Sequence, residues 1–328
     1  MNSSAQFRWG IIGTGGIART FARDLVHLGD HRVTAVGSRT LQKAENFANE
    51  FGAQSFGSYE ELVQADVDAV YVATPHTFHA VNSILALNAK KPVLCEKPFA
   101  VNATEAQAMI SASQLNSVAL MEAMWSRFLP HYAIVRAEIE SGSLGELVAV
   151  YADHGQPLPA DPYYRLHAPE LAGGALLDLG IYPISLAFMI LGRPDLVIAT
   201  SESTESGVDA QTSMIFSYFS GQQAVLTTTL KVRTPCTAQI IGTRGRIEID
   251  GNFYTPTSLR IISDGKLVRE VKRDYQGHGI REQAREFARI VRAGEIESEL
   301  MTHQDSLEIM EIMDEIREQI GLRYPFER

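Results

Sequence analysis

The sequence predicts an α/β domain with a doubly wound parallel sheet, followed by an α+β domain built on a large open, mainly antiparallel sheet. Three observations lead there. Over the first 120 residues, short β-rich runs alternate with helical patterns. A glycine loop, Gly13-Thr14-Gly15-Gly16-Ile17-Ala18, separates the first such run from the first helical pattern. Beyond Trp125, longer alternating runs follow one another with only turns between them. Strands separated by helices pair in parallel, whereas strands too close for a crossover helix pair antiparallel.

Element by element, Phe7–Ile12 reads as a strand, and residues 17–28 as a helix with Ile17, Phe21, Leu25 and Leu28 on one face. Residues 32–38 form the second strand, and Leu41–Phe51 a helix stopped by Gly52. Residues 69–73 are a continuous apolar strand, and His79–Asn88 a helix. Another strand at 92–95, a helix at 104–113 and a strand at 118–121 complete a dinucleotide-binding domain over residues 1–124. The second domain, 125–328, opens with a helix at 131–141 ended by Gly142. Alternating runs at 147–153, 211–219, 224–232, 238–241 and 246–249 make its sheet. A glycine-flanked helix at 175–191 is embedded among them, and Pro162-Tyr163-Tyr164-Arg165 reads as the loop before it. Two amphipathic helices close the chain, one lined by Ile280, Ala284, Phe287 and Val291, the other by Leu307, Met310, Met313 and Ile316.

The bulk chemistry narrows the function. With 45% hydrophobic and 21% charged residues, the 328-residue chain has the composition of a soluble globular protein. A net charge of −10, with no cluster of Lys and Arg, argues against nucleic acid or an anionic membrane as partner. Cys95 and Cys236 have no metal-type or redox-type neighbours, so no disulfide framework is expected, and Cys95 reads as a small buried hydrophobe. The start, Met1 to Gln6, lacks the basic and apolar regions of a secretion signal. Ile181–Leu191, with Pro183 and Ser185 inside it, is too short to span a bilayer. A cytoplasmic protein is expected.

Gly-x-Gly-x-x-Ala acquires meaning from following a strand and opening a helix. Gly13 permits the tight turn, Gly15 lets a pyrophosphate approach the backbone, and Ala18 lets helix pack on strand. Thr14, Gly16 and Ile17 complete the loop at the helix N-terminus, where unpaired N–H groups face a phosphate. About twenty residues on, an acidic side chain would select NAD by binding the ribose 2′-hydroxyl. Here Gly37-Ser38-Arg39 stands instead, with Lys43 one helical turn later. A hydroxyl and a guanidinium suit a 2′-phosphate, so NADP is expected over NAD. Thr74-Pro75-His76-Thr77-Phe78-His79 follows the third apolar strand and is expected to face the cofactor, with His79 starting a helix. No carboxylate or cysteine stands at ligand spacing from His76 and His79, so no metal site is expected.

Two further segments carry chemistry. Glu96-Lys97-Pro98 ends an apolar strand and falls on the edge where ligands bind in open parallel sheets. In Gly173-Gly174-Ala175-Leu176-Leu177-Asp178-Leu179-Gly180-Ile181-Tyr182-Pro183, Asp178 and Tyr182 are four apart and share a helix face. At that spacing an isolated Asp and Tyr are usually a structural hydrogen-bond pair. Taken with Lys97, they suggest proton transfer, because a nearby ammonium favours the phenolate of a group that otherwise titrates near about 10. Among the remaining histidines, His154, His167 and His278 fall in loop-like stretches, His154 at the possible edge of a pocket.

With these residues in place the chain resembles the Gfo/Idh/MocA oxidoreductase family, from the opening strand to about residue 322. The resemblance rests on the glycine loop, Ala73-Thr74-Pro75, Glu96-Lys97-Pro98, Asp178-x-Gly180-x-Tyr182 and Gly242-Thr243-Arg244-Gly245. Much of the family carries His where this chain has Tyr182. Tyrosine there, and Met121 to Pro130 with Trp125, Arg127 and Phe128, are similar to the branch of dimeric dihydrodiol and NADP-dependent xylose dehydrogenases. The resemblance implies a Rossmann domain, then an α+β domain whose open sheet shapes the substrate site and forms a homodimer or higher homo-oligomer. It implies that Lys97 assists while Tyr182 donates or accepts the proton, that Trp125, Arg127 and Asp178 shape the pocket, and that Lys97-Pro98 is cis. Glu96 and Lys97 would also touch the cofactor. The activity implied is hydride transfer to or from a carbinol carbon of a sugar, polyol or cyclic trans-diol. A nucleotide-binding sensor on the same fold is the alternative, though a sensor has no need of Lys97 and Tyr182 together.

Overall fold

The computed structural model describes residues 6–159 and 164–327. Pro162 and Tyr163 of the expected loop lie outside the described residues. The chain divides into two compact units, Met1–Phe128 with Gln276–Leu307, and Leu129–Tyr275 with Glu308–Arg328.

In the first unit, β1 (Phe7–Ile12), α1 (Gly16–Asp24), β2 (His31–Gly37), α2 (Leu41–Phe51), β3 (Gln54–Phe56) and α3 (Tyr59–Leu62) come first. They are followed by β4 (Ala69–Val72), α4 (His79–Asn88), β5 (Val93–Glu96), α5 (Ala103–Asn116) and β6 (Leu120–Ala123). All six strands are parallel, in the order β3-β2-β1-β4-β5-β6. The chain winds outward from β1 through β2 and β3, then returns to the other side of β1 at β4. That reversal leaves a crevice beyond the carboxyl ends of β1 and β4, the position where such sheets bind ligands. β4, β5 and β6 are buried throughout, which explains their apolar character, broken only by the buried Glu96 at the end of β5 and Glu122 in β6. The expected helix at 17–28 is α1 followed by a tighter turn, Leu25–Leu28.

In the second unit come α6 (Pro130–Glu140), β7 (Leu147–Gly155), a π-helical turn at Leu176–Gly180 and α7 (Ile181–Leu191). β8 (Leu196–Ser203), β9 (Asp209–Ser217), β10 (Gln223–Thr229), β11 (Ala238–Gly242), β12 (Gly245–Ile249), β13 (Leu259–Ser263) and β14 (Lys266–Val271) follow. Their eight-stranded sheet runs β14-β13-β12-β11-β7-β10-β9-β8 and is antiparallel except where β10 pairs in parallel with β7. One face is buried. On the other, Tyr151, Val225, Ile215 and Ile198 stand side by side in register across four strands, all exposed. The same row continues through Gln239 and Glu248 to Arg260, and Glu248 is paired with both Arg246 and Arg260. Open antiparallel sheets alternate in this way, but four adjoining apolar side chains on the outer face form a patch that solvation alone does not favour.

Two expectations are corrected. The chain does not divide once at residue 124, because 276–307 returns to the first unit. There α8 (Arg281–Ala293) sets Phe287 against Trp9 at 5.9 Å, and the buried Asp24 carboxylate accepts the amides of His278, Gly279 and Arg281. The last helix, α9 (His303–Gln319), begins in the first unit and ends in the second. The apolar helical stretch is also longer than Ile181–Leu191: Pro169–Leu191 spans 23 residues, long and apolar enough to cross a bilayer, although 83% of its apolar window is buried within the protein.

Candidate active site

At the crevice of the first unit, Gly13 has φ +107°, and a Cβ there would lie 2.6 Å from the Ala73 carbonyl oxygen. The ends of β1 and β4 therefore approach as closely as backbone allows, which only glycine permits. Gly15 and Gly16 are exposed, and a Cβ on either would meet nothing within 4 Å. Gly15 caps α1 without a side-chain hydrogen bond, and the first turn of α1 carries no acidic residue. The result is an open backbone cradle at a helix N-terminus, with an electrostatic bias towards anions. Arg19 steadies the loop by donating to the Thr14 carbonyl at 3.0 Å while paired to Glu50.

Beyond β2, Ser38 is buried and its amide donates to the Phe56 carbonyl at 3.2 Å. Arg39 and Lys43 are exposed, and the Arg39 guanidinium lies 5.7 Å above the ring of Phe78. The two loops flanking β1, from β2 and from β4, thus meet through a cation and an aromatic face. Thr74 and Pro75 are half-buried at the end of β4. The residues present fit a dinucleotide, with the glycine cradle for the pyrophosphate and a guanidinium where a 2′-phosphate would stand.

His79 is a correction. It does start α4, but its ring is fully buried, with Nδ1 2.8 Å from the Pro98 carbonyl and Nε2 2.9 Å from the Thr74 carbonyl. Burial, reinforced by His76, pushes its pKa down to about 3. The ring lies between two carbonyls, one in the loop after β4 and one in the turn after β5, and presents no side-chain atom to a cofactor. His76 is likewise buried, 5.7 Å from the His79 ring, and no metal-type cluster occurs among the described residues.

The Lys97-Pro98 bond is cis, and Lys97 is half-buried directly after β5. Beneath it, Glu96 is buried and accepts a hydrogen bond from the Tyr71 hydroxyl; the Tyr71 ring stacks on Phe21 of α1 at 3.9 Å. Glu122, one strand over and opposite Cys95, accepts the Phe99 amide at 3.1 Å. Burial pushes its carboxyl up to about 7. Cys95 is fully buried, as expected, and burial pushes its thiol well up. Trp125 is nearly buried, 4.8 Å from the ring of His278. The Arg127 guanidinium is buried and donates to Asp305 at 2.5 Å and to the Leu300 carbonyl at 3.4 Å.

In the second unit, Asp178 lies in the π-helical turn and Tyr182 in the first turn of α7; each is 6% exposed. Asp178 accepts from Arg165 at 2.9 Å. The Tyr182 ring packs 4.7 Å from Tyr254 and edge-on, at 5.2 Å, to His154. His154 is not in a loop but is buried in β7. Its Nδ1 lies 3.2 Å from the Leu179 carbonyl, which can only accept, so Nδ1 carries the proton. Nε2 then accepts from the Gln156 amide at 2.8 Å, and the same amide donates to the Tyr254 hydroxyl at 2.6 Å. Sequence reasoning missed the contacts of Tyr71, Glu122, Gln156 and Tyr254; Arg165 it placed only in the loop before the helix. A two-residue alternation links His154 to Gln156, but Tyr254 stands 98 residues further on with no local signal.

Comparison with known proteins decides the family. Residues 7–124 match the family model "Oxidoreductase family, NAD-binding Rossmann fold", and residues 132–248 match "GFO/IDH/MocA C-terminal domain". The chain belongs to the GFO/IDH/MocA oxidoreductase family. It is 37% identical over 331 residues to trans-1,2-dihydrobenzene-1,2-diol dehydrogenase of Danio rerio, covering 97% of this chain and 98% of the relative. To D-xylose 1-dehydrogenase (NADP(+)) of Hypocrea jecorina it is 35% identical over 363 residues, covering 97% and 93%. The crystal structure of KijD10, a 3-ketoreductase from Actinomadura kijaniata in complex with NADP and TDP-benzene, superposes with a TM-score of 0.85 at 27% identity, covering 96% of this chain and 98% of the other. As a GFO/IDH/MocA member, the chain is an NAD(P)-dependent oxidoreductase, and nothing in these relatives favours a sensor.

Proposed function

We propose that the protein is an NADP-dependent dehydrogenase or reductase acting on a CH–OH group of a sugar, polyol or trans-dihydrodiol. The observation that carries this reading is the open glycine cradle at the switch point, flanked by Arg39 after β2 and by Lys97 after β5. Gly13 to Ile17 hold the pyrophosphate; Arg39, Ser38 and Lys43 receive the 2′-phosphate; and Thr74, Pro75, Glu96 and Lys97 line the nicotinamide half. Bound NADP supplies the hydride acceptor or donor. In the oxidative direction the carbinol carbon loses a hydride and its oxygen a proton, which passes to the Tyr182 phenolate. Lys97 supports that phenolate electrostatically, as a general base needs at neutral pH. Asp178, positioned by Arg165, holds a substrate hydroxyl, and Trp125 walls the pocket. The reverse sequence reduces a carbonyl. The named activities of the dihydrodiol and xylose dehydrogenases support this substrate range.

A second copy of the chain covers the outer face of the eight-stranded sheet, where Tyr151, Val225, Ile215 and Ile198 adjoin. The net charge of −10 supports a soluble, cytoplasmic protein with no nucleic-acid or membrane partner. The experiment is reduction of NADP⁺ and of NAD⁺ across a panel of aldoses, polyols and trans-dihydrodiols. Turnover with NADP⁺ on at least one class is expected, whereas NADPH binding without turnover on any of them would count against the reading. Ile215→Glu is expected to shift the protein to monomer in sedimentation, and an unchanged dimer would place the contact elsewhere.

A further inference from the structure

Tyr182 and Asp178 owe their placement to the π-helical turn at Leu176–Gly180, a geometry that the helix cannot hold by itself. Ala175, at its N-terminal boundary, offers no side-chain cap. The cap comes instead from β9, where the Asp209 Oδ2 accepts the Leu176 amide at 2.8 Å and the Thr212 hydroxyl at 2.7 Å. The other oxygen, Oδ1, lies 2.1 Å from where a Cβ on Gly174 would stand, so Gly174, at φ +118°, is shaped to admit this carboxylate. Oδ1 has no hydrogen-bond partner among the described residues, and the side chain is fully buried. A buried carboxylate with one unsatisfied oxygen costs stability unless its position matters.

The neighbouring backbone is held from outside as well. Tyr324 donates to the Gly173 carbonyl at 2.7 Å, Thr228 donates to the Ala175 carbonyl at 3.4 Å, and His154 holds the Leu179 carbonyl at the far end of the turn. Among the described residues, Asp209 is the side chain that engages the Leu176 amide at its start. Short π-helical insertions are costly in themselves and recur at functional sites.

We infer that Asp209 is the positioning residue that sets the π-helical turn and thereby aims Tyr182 and Asp178 at the substrate. This rests on the proposed role of Tyr182, but its physical content is testable apart from it. Asp209 is buried, so it acts through the turn and not by contact with substrate or cofactor. Loss of its acceptor frees the start of the turn while His154 still holds its end.

The test compares Asp209→Ala, Asp209→Asn and Thr212→Val in the full chain by amide hydrogen exchange over 174–182, alongside kcat, KM and NADPH binding. Asp209→Ala is expected to speed exchange over this peptide at least about tenfold and to lower kcat on the order of 10²-fold, as a misplacement of about 1 Å does, with NADPH affinity unchanged. Asp209→Asn keeps an acceptor for Leu176 and should restore both. Thr212→Val, which loosens the carboxylate without removing it, should fall between. Equal exchange in wild type and Asp209→Ala, or equal losses in the Ala and Asn variants, would overturn the inference. Tyr182→Phe separates the two readings. If it retains activity, the proposed role of Tyr182 fails, and exchange alone decides whether Asp209 sets the turn. If it abolishes activity while Asp209→Ala leaves kcat unchanged, the positioning inference fails and the proposed role stands.

Discussion

Two glycines of one loop should respond in opposite ways to the same methyl group. At Gly13 the backbone sits at φ +107°, and a Cβ would lie 2.6 Å from the oxygen and 2.9 Å from the carbon of the Ala73 carbonyl. The obstacle is backbone, which cannot rotate aside. Holding alanine in such a region costs about 1–3 kcal/mol before any clash is counted. At about 2–4 °C per kcal/mol for a domain of this size, Gly13→Ala should lower the Tm by about 2–12 °C. Gly15, in contrast, has φ −75° and ψ −177°, which any residue adopts, and its Cβ would meet nothing. Gly15→Ala should therefore leave the Tm unchanged, or raise it slightly through the about 0.4–1 kcal/mol lost from unfolded-chain entropy. It fills the cradle, however, and should weaken NADPH binding by at least about tenfold, or about 1.4 kcal/mol. Thermal unfolding without nucleotide and fluorescence titration with NADPH measure the two effects separately. Unaltered NADPH affinity in Gly15→Ala would refute the cradle, and an unaltered Tm in Gly13→Ala would refute the close approach of β1 and β4.

If Arg39 binds the 2′-phosphate as proposed, Arg39→Ala removes a charge-assisted contact worth about 1.5–3 kcal/mol, so Kd for NADPH should rise about 10- to 150-fold while that for NADH barely changes. Parallel titrations with the two nucleotides check it. Glu122 should be visible in stability against pH. Its carboxyl, raised by burial from 4.5 to about 7, makes the folded state hold a proton that the unfolded chain has lost, so its contribution to stability falls as pH rises through that window, by up to about 3 kcal/mol. Buried neutral histidines such as His131, pushed down to about 4, slope the other way, so the informative quantity is wild type minus Glu122→Gln in urea midpoints from pH 5 to 8. Glu122→Gln should gain on wild type as pH rises, and parallel curves would show that the carboxyl is not held protonated.

What the sequence disclosed and what it hid have physical causes. Fully buried strands such as β4 and β5 announce themselves as apolar runs, and the βα turn at Gly13 by its spacing. β14 went unnoticed because Lys266 to Glu270 are all exposed, which leaves no alternation to detect. β8 has a single buried position, Val197. The return of 276–307 to the first unit depends on backbone amides reaching Asp24 more than 250 residues earlier, which no local pattern encodes. Lys97 and Tyr182 stood out by motif, but their supports did not. Tyr71, Glu122, Asp209 and Gln156 act through contacts remote in sequence, and Asp178 lies in a π-helical turn that runs into the α-helix of Tyr182, rather than in the one plain α-helix that a spacing of four suggests. Arg127 and His79 stood out as polar residues in the right segments, and each is committed to structural partners within its own unit.

The central claim is that Tyr182 moves the proton and Lys97 supports it. It is tested most directly by single-turnover and steady-state kinetics of Tyr182→Phe and Lys97→Ala on a substrate found in the panel, with NADPH affinity measured in parallel. General acid–base groups contribute about 10²–10⁴-fold, so each variant should lose at least about 10²-fold in kcat while Tyr182→Phe binds NADPH as wild type does. A Tyr182→Phe enzyme that turns over within about threefold of wild type would contradict the account, since a phenyl ring has no proton to exchange.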